Sequence, residues 1–225
     1  SCLGFDEFQN LRATCVKHKF TRLLRRLDRI KLDGSVTPQG LCGPSPLIGV
    51  TIRDLRVDQS DWSKAVLNDS RLAESSFDHS KLSRSSLVDC NLSKSVWNKC
   101  EADEADFSCS MMESSRMTSC GFRGADLYEC VLLELEAKST DWSGANLMNV
   151  DCRRGKLVEC NFADSLMSEI SLIQSTLERC NLSGADLRGA FLIGAVFRQC
   201  ILEGADLSMC DGYDQVLVES TGRKQ

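Results

Sequence analysis

An apolar residue stands at every fifth position from Ile52, through Val57, Trp62, Leu67 and Leu72, to Phe197, Leu202 and Leu207. The phase holds for 32 consecutive positions without an insertion, in a chain that is only 42% apolar. The residue two places earlier is small (Ser, Ala, Cys, Thr, Gly or Val) everywhere but Leu55, Leu135 and Ile170. Helices and flat strands repeat their side chains at 3.6 and 2 residues, so neither produces this pattern. Residues two apart in extended backbone share a side, so one large and one small side chain point inward. The other three residues of each five turn a corner and face solvent. A chain that turns every five residues must wind into a tube.

The repeated A-(D/N)-L-x-x unit, seen in Ala125-Asp126-Leu127 and Ala185-Asp186-Leu187, resembles the pentapeptide-repeat proteins. The resemblance implies an all-β solenoid: a right-handed quadrilateral parallel β-helix with four pentapeptides to a coil, hence about eight coils. At a strand spacing of ~4.8 Å such a rod is ~38 Å long. Solenoids are held by nearest-neighbour stacking and need their ends covered.

Outside the repeat, residues 1–33 read as a basic amphipathic helical segment. Val16, Phe20, Leu23, Leu24, Leu27 and Ile30 recur at helical spacing, and Asp33-Gly34 ends the run. Residues 34–49 hold all three prolines and form a connector. The repeat itself occupies 50–210, and 211–225 are expected to supply a C-terminal cap and tail. The stretch to Gly49 carries +4 and the remainder −9. The plain role of the N-terminal stripe is to cover the first coil; contact with a membrane surface is the less favoured alternative.

With four repeats per coil, residues twenty apart stack and the surface divides into four faces. One face carries eight acids, Asp69, Asp89, Asp106, Asp126, Glu129, Glu169, Asp186 and Asp206, against the single base Arg188. The face through Phe77 and Phe197 nets +2. Some family members resemble duplex DNA and bind gyrase or topoisomerase, conferring quinolone resistance, and an acidic stripe is the feature that reading needs. Duplex DNA of the same length would carry roughly 22 phosphates. Asp or Asn before the central Leu is also part of the repeat itself. A different face gathers Val131, Leu133, Ile173, Phe191 and Ile193, a candidate contact surface for a protein partner or a second copy of the chain.

Chemistry finds little support in the sequence. His18 and His79 are far apart, and Asp78-His79-Ser80 holds triad letters on a corner where neighbours diverge. Neither catalytic, cofactor nor metal residues are assigned, and zinc-ligand spacing is absent. Gly184, Gly189, Gly194 and Gly204 fall on the corner position. Of 13 cysteines, Cys90, Cys100, Cys120, Cys130, Cys160, Cys180, Cys200 and Cys210 take the small inward place, and Cys152 a large one. They are expected to be unpaired small hydrophobes, because parallel stacking holds Cβ atoms ~4.8 Å apart, too far for a disulfide. Cys109 lies on an outward corner. A reducing, cytoplasmic setting in a bacterial cell fits this use, with secretion as an effector or adaptor an alternative. The sequence thus points to a non-enzymatic protein-binding scaffold, with gyrase mimicry as the alternative. No direct nucleic-acid binding is expected of so acidic a chain.

Overall fold

The structure, a computed structural model, describes residues 48–49, 51–52 and 55–212, together with the backbone of 217–219. The predicted N-terminal helix and most of the connector lie outside these residues. Among the described residues nine parallel strands form one sheet in sequence order: β1 Arg56–Asp58, β2 Ser76–Asp78, β3 Val96–Asn98, β4 Arg116–Thr118, β5 Glu136–Lys138, β6 Lys156–Val158, β7 Thr176–Glu178, β8 Val196–Arg198 and β9 Leu217–Glu219. The first eight are spaced by twenty residues, so seven full turns of a four-sided parallel β-solenoid separate β1 from β8. On the other three sides single bridges repeat at the same twenty-residue offset, as in Asp61↔Lys81, Val66↔Ser86 and Arg71↔Asn91. The step to β9 is 21 residues, with Val196 opposite Leu217.

An account of one pentapeptide's backbone N–H groups explains the pattern, because buried amides must be paired. Trp62 N–H donates to Lys81 O in the coil above (2.6 Å), and Lys64 N–H to Ser83 O (3.0 Å). Lys81 N–H donates to Ser60 O in the coil below (2.9 Å). Ala65 N–H closes a turn onto Trp62 O (3.1 Å). The third residue of that turn, Lys64, has φ +63°, the left-handed conformation a type II turn demands. Every corner residue of this phase from Gln59 to Met209 is left-handed, 25 of them not glycine. Left-handed backbone costs an L-residue roughly 1–2 kcal/mol, so the glycines at 184, 189, 194 and 204 relieve a strain borne by the other corners.

The remaining amide, two residues after the bridge position, is where the Asp/Asn preference originates. Ser108 N–H donates to Asp106 Oδ1, Tyr128 N–H to Asp126 Oδ1 and Ser208 N–H to Asp206 Oδ1, each at 3.0 Å; Met148 N–H reaches Asn146 Oδ1 at 3.2 Å. The carboxylates that precede the central Leu therefore cap the turn. Asparagines can also chain upward, with Asn161 Nδ2 on Asp141 Oδ1 (2.9 Å) and Asn181 Nδ2 on Asn161 Oδ1 (3.0 Å).

The interior is filled as the period requires. All of the large inward residues are buried except Leu202 and Leu207 at the last coil, which are partly buried. Phe77 and Trp97 stack at 4.0 Å, and Trp142 and Phe162 at 5.0 Å. The two alanines in the large position, Ala102 and Ala137, each lie one pentapeptide from a tryptophan, Trp97 and Trp142, so excess volume on one side is offset on the next. Leu135 fills the small place two residues before Ala137. The compensation is incomplete, leaving a void of about 10 Å³ among Leu132, Trp142, Cys152, Leu157 and Met167.

Candidate partner-binding faces

The acidic face is continuous in space. Ser86, Asp106, Asp126, Asn146, Leu166, Asp186 and Asp206 stack as successive bridge partners. Its eight acids, however, do two different things. Asp106, Asp126, Asp186 and Asp206 are turn caps. Arg188 grips Asp186 through two hydrogen bonds (2.8 and 2.7 Å) and lies 3.9 Å from Asp206. That guanidinium holds the Asp186 carboxyl well below the usual carboxylate range, and the Ser208 amide and hydroxyl lower Asp206. Asp69, Asp89, Glu129 and Glu169 occupy the left-handed corners instead and are exposed. Cys109 belongs to the same corner column. Desolvation and the Asp89 and Glu129 charges raise its thiol, so this exposed cysteine is a poor nucleophile at neutral pH.

The apolar candidates are less coherent. Val131, Leu133 and Ile173 are half-buried, while Phe191 and Ile193 are 43% and 41% exposed. Asp151 and Arg153, joined by hydrogen bonds of 2.8 and 2.7 Å, stand between Val131 with Leu133 on one side and Ile173 with Phe191 and Ile193 on the other. The patch is thus two small pieces divided by an ion pair. A groove between Ser114, Arg116, Glu134, Glu136, Arg154 and Lys156 is lined by charges that pair with each other, Arg116 with Glu136 (3.0 Å) and Arg154 with Glu134 (3.2 Å).

The cysteines are unpaired among the described residues and inward-facing as expected, Cys109 apart. Their role is more specific than filling space. The corner after each strand lacks the turn hydrogen bond in every coil, which leaves the amides of Ser60, Ser80, Cys100 and their successors without that partner; elsewhere Cys90 N–H likewise goes to Ser110 Oγ (2.8 Å). Eight of eight residues there carry a hydroxyl or thiol: Ser60, Ser80, Cys100, Cys120, Thr140, Cys160, Cys180 and Cys200. Each donates to the carbonyl two residues earlier, from Ser60 Oγ to Asp58 O (2.8 Å) to Cys200 Sγ to Arg198 O (3.5 Å). At the first corner the hydroxyl also accepts the amide one coil below, Ser60 N–H on Ser80 Oγ (3.2 Å), and the amides of Ser80 and Thr140 act to lower the thiols of Cys100 and Cys160 above them. Burial pushes the thiols of Cys90 up to about 11 and of Cys130 and Cys152 up to about 12.

The Asp78-His79-Ser80 run is no triad. Ser80 is buried and bonded to the Asp78 carbonyl, while His79 is exposed with Nδ1 2.9 Å from Asp78 Oδ1. The structure adds Asp58 to these two, stacked directly beneath Asp78. The twenty-residue period already placed those aspartates together in the sequence.

A family model for pentapeptide repeats matches eight copies over residues 85–124, 145–184 and 175–211. The chain belongs to the pentapeptide-repeat family, and its unbroken register extends that pattern over the rest of the rod. No curated protein matches the chain in sequence. Among solved structures, HetL, a pentapeptide repeat protein involved in heterocyst differentiation regulation from the cyanobacterium Nostoc, is 17% identical with a TM-score of 0.38, over 73% of this chain and 87% of its own. Full-length QnrB1, a plasmid-mediated fluoroquinolone resistance protein, is 17% identical with a TM-score of 0.28, over 85% and 90%. A pentapeptide repeat protein of the Arabidopsis thaliana thylakoid lumen is 24% identical with a TM-score of 0.33, over 48% and 74%.

Proposed function

We propose that this chain is a non-enzymatic binding module that docks a basic protein surface along its acidic face. The observation that carries this reading is the division of labour among the acids. Asp106, Asp126, Asp186 and Asp206 are accounted for by turn capping, whereas Asp69, Asp89, Glu129 and Glu169 project from one corner column with no such duty. Four charges fixed on rigid backbone steer a basic partner and set its register at little ordering cost. The apolar face, split by Asp151 and Arg153, supports partner or self-association less well.

Gyrase or topoisomerase binding by DNA mimicry is a special case of the same reading, favoured by the alignment of Asp106 with Asp126 and of Asp186 with Asp206 on one face, with Asn146 and Leu166 between the two pairs. Its weakness is density: eight acids lie along a length where duplex DNA carries roughly 22 phosphates. A supercoiling assay decides it. Inhibition or protection of gyrase, lost on neutralising the four corner acids, supports mimicry; no effect at stoichiometric excess removes it and leaves another basic protein as the partner.

A further inference from the structure

We propose that Asp58, Asp78 and His79 form a surface site for one borderline first-row divalent cation of the zinc class. One ligand atom from each lies within 4.8 Å of the others, the one such trio of His, Cys, Asp or Glu among the described residues. Two chemically different donors are already in position. His79 Nδ1 and Asp78 Oδ1 are 2.9 Å apart, and two cis ligands at ~2.1 Å from a metal are separated by about 3 Å. Asp58 is brought to them by register, since β1 and β2 pair Asp58 directly opposite Asp78.

That pairing is unfavourable as it stands, because like charges directly opposite on neighbouring strands repel. Among the described residues no lysine or arginine forms an ion pair with either aspartate. A bound cation reverses the sign of the interaction. The supports are also present. Asn98 Nδ2 donates to Asp78 Oδ1 at 2.6 Å, and the buried Ser60 and Ser80 hydroxyls tie down the carbonyls of Asp58 and Asp78. Such outer partners fix ligand orientation. One imidazole with two carboxylates suits zinc, cobalt or nickel; calcium and magnesium want more oxygen ligands than this corner offers. Water completes the coordination of so exposed a site.

Cobalt(II) titration of the full chain, followed by calorimetry and absorbance, is the test. The expected result is saturable one-to-one uptake, weakened about tenfold or more by Asp58→Asn or His79→Gln and about tenfold by Asn98→Ala, with melting temperatures unchanged in the absence of metal. Because Cys109 and other thiols also take up cobalt, the spectrum discriminates: weak visible bands mark oxygen and nitrogen ligands. An intense near-ultraviolet thiolate band, uptake undiminished in both ligand variants, or no saturable uptake below millimolar cobalt overturns the proposal.

Discussion

Cys100 lies one coil beneath Cys120, and its thiol first and its backbone N–H second act to lower the Cys120 thiol. The Cys120 thiol in turn donates to Thr118 O at 3.4 Å. A side chain that both accepts and donates is what this corner requires, since its amide has no turn carbonyl to bond.

Substitution therefore follows chemistry rather than size. Cys120→Ser and Cys160→Ser keep both bonds and are expected to cost less than about 1 kcal/mol. Cys120→Ala leaves a buried amide unpaired, and costs about 1–3 kcal/mol. Urea denaturation of the three variants reads the difference; an alanine as benign as serine would show the column is mere packing.

The tryptophans offer a matched comparison. Trp97 Nε1 donates to Ser95 Oγ at 2.7 Å, which lies 3.1 Å from Ser115 Oγ. Trp142 Nε1 is buried with no partner. Replacement by phenylalanine removes similar volume at both sites but breaks a hydrogen bond only at the first. Trp97→Phe should be the more destabilising by about 1–3 kcal/mol in thermal or urea melts.

Much of this was legible in the sequence, and for a physical reason. A rod with no insertion converts sequence distance directly into spatial distance, so the five-residue phase gives burial and the twenty-residue phase gives neighbours. The inward thiols, the corner glycines and the acidic stack follow from counting. Hydrogen-bond direction does not. Nothing in the spacing distinguishes the strand corner from the three turn corners, so the cysteines looked like small hydrophobes rather than amide acceptors. The ion pair of Asp151 with Arg153, which divides the apolar face, is likewise a side-chain event between outward residues two apart. Asp58 and Asp78 were countable neighbours, but His79 joins them only through the left-handed turn at φ +47°.

Acid should weaken the rod through its caps. Asp61, Asp151, Asp186 and Asp206 all have carboxyls held below the usual range by Ser63, Arg153, Arg188 and Ser208 respectively. A depressed carboxyl stabilises the fold above its unfolded value of about 3.9 and loses that contribution as pH falls toward the folded value. Melting temperature is expected to hold from neutral pH to about 5 and to drop below about 4, less steeply in Arg188→Gln. The buried thiols act at the other end. The folded values of Cys90 at about 11 and Cys130 and Cys152 at about 12 exceed the unfolded value of about 8.5. Their stabilisation is complete below that pH and is lost progressively above it.

Two glycines separate strain from collision. A Cβ on Gly144 meets nothing within 4 Å, so Gly144→Ala bears only the left-handed penalty at φ +63°, about 1 kcal/mol. On Gly212, at φ +77°, it comes within 2.9 Å of the Ile193 backbone. Gly212→Ala should dislodge the β9 rung, seen as faster amide exchange in residues 217–219, whereas Gly144→Ala leaves that exchange unchanged.

The corner acids bear the central claim. Affinity capture from the source cells is compared for the wild type, for a variant combining Asp69→Asn, Asp89→Asn, Glu129→Gln and Glu169→Gln, and for Leu133→Asp with Ile173→Asp. The account predicts a basic protein held by the wild type and by the apolar-face variant, released by moderate salt, and lost from the corner variant. A partner retained by the corner variant and lost from the apolar-face variant would contradict it.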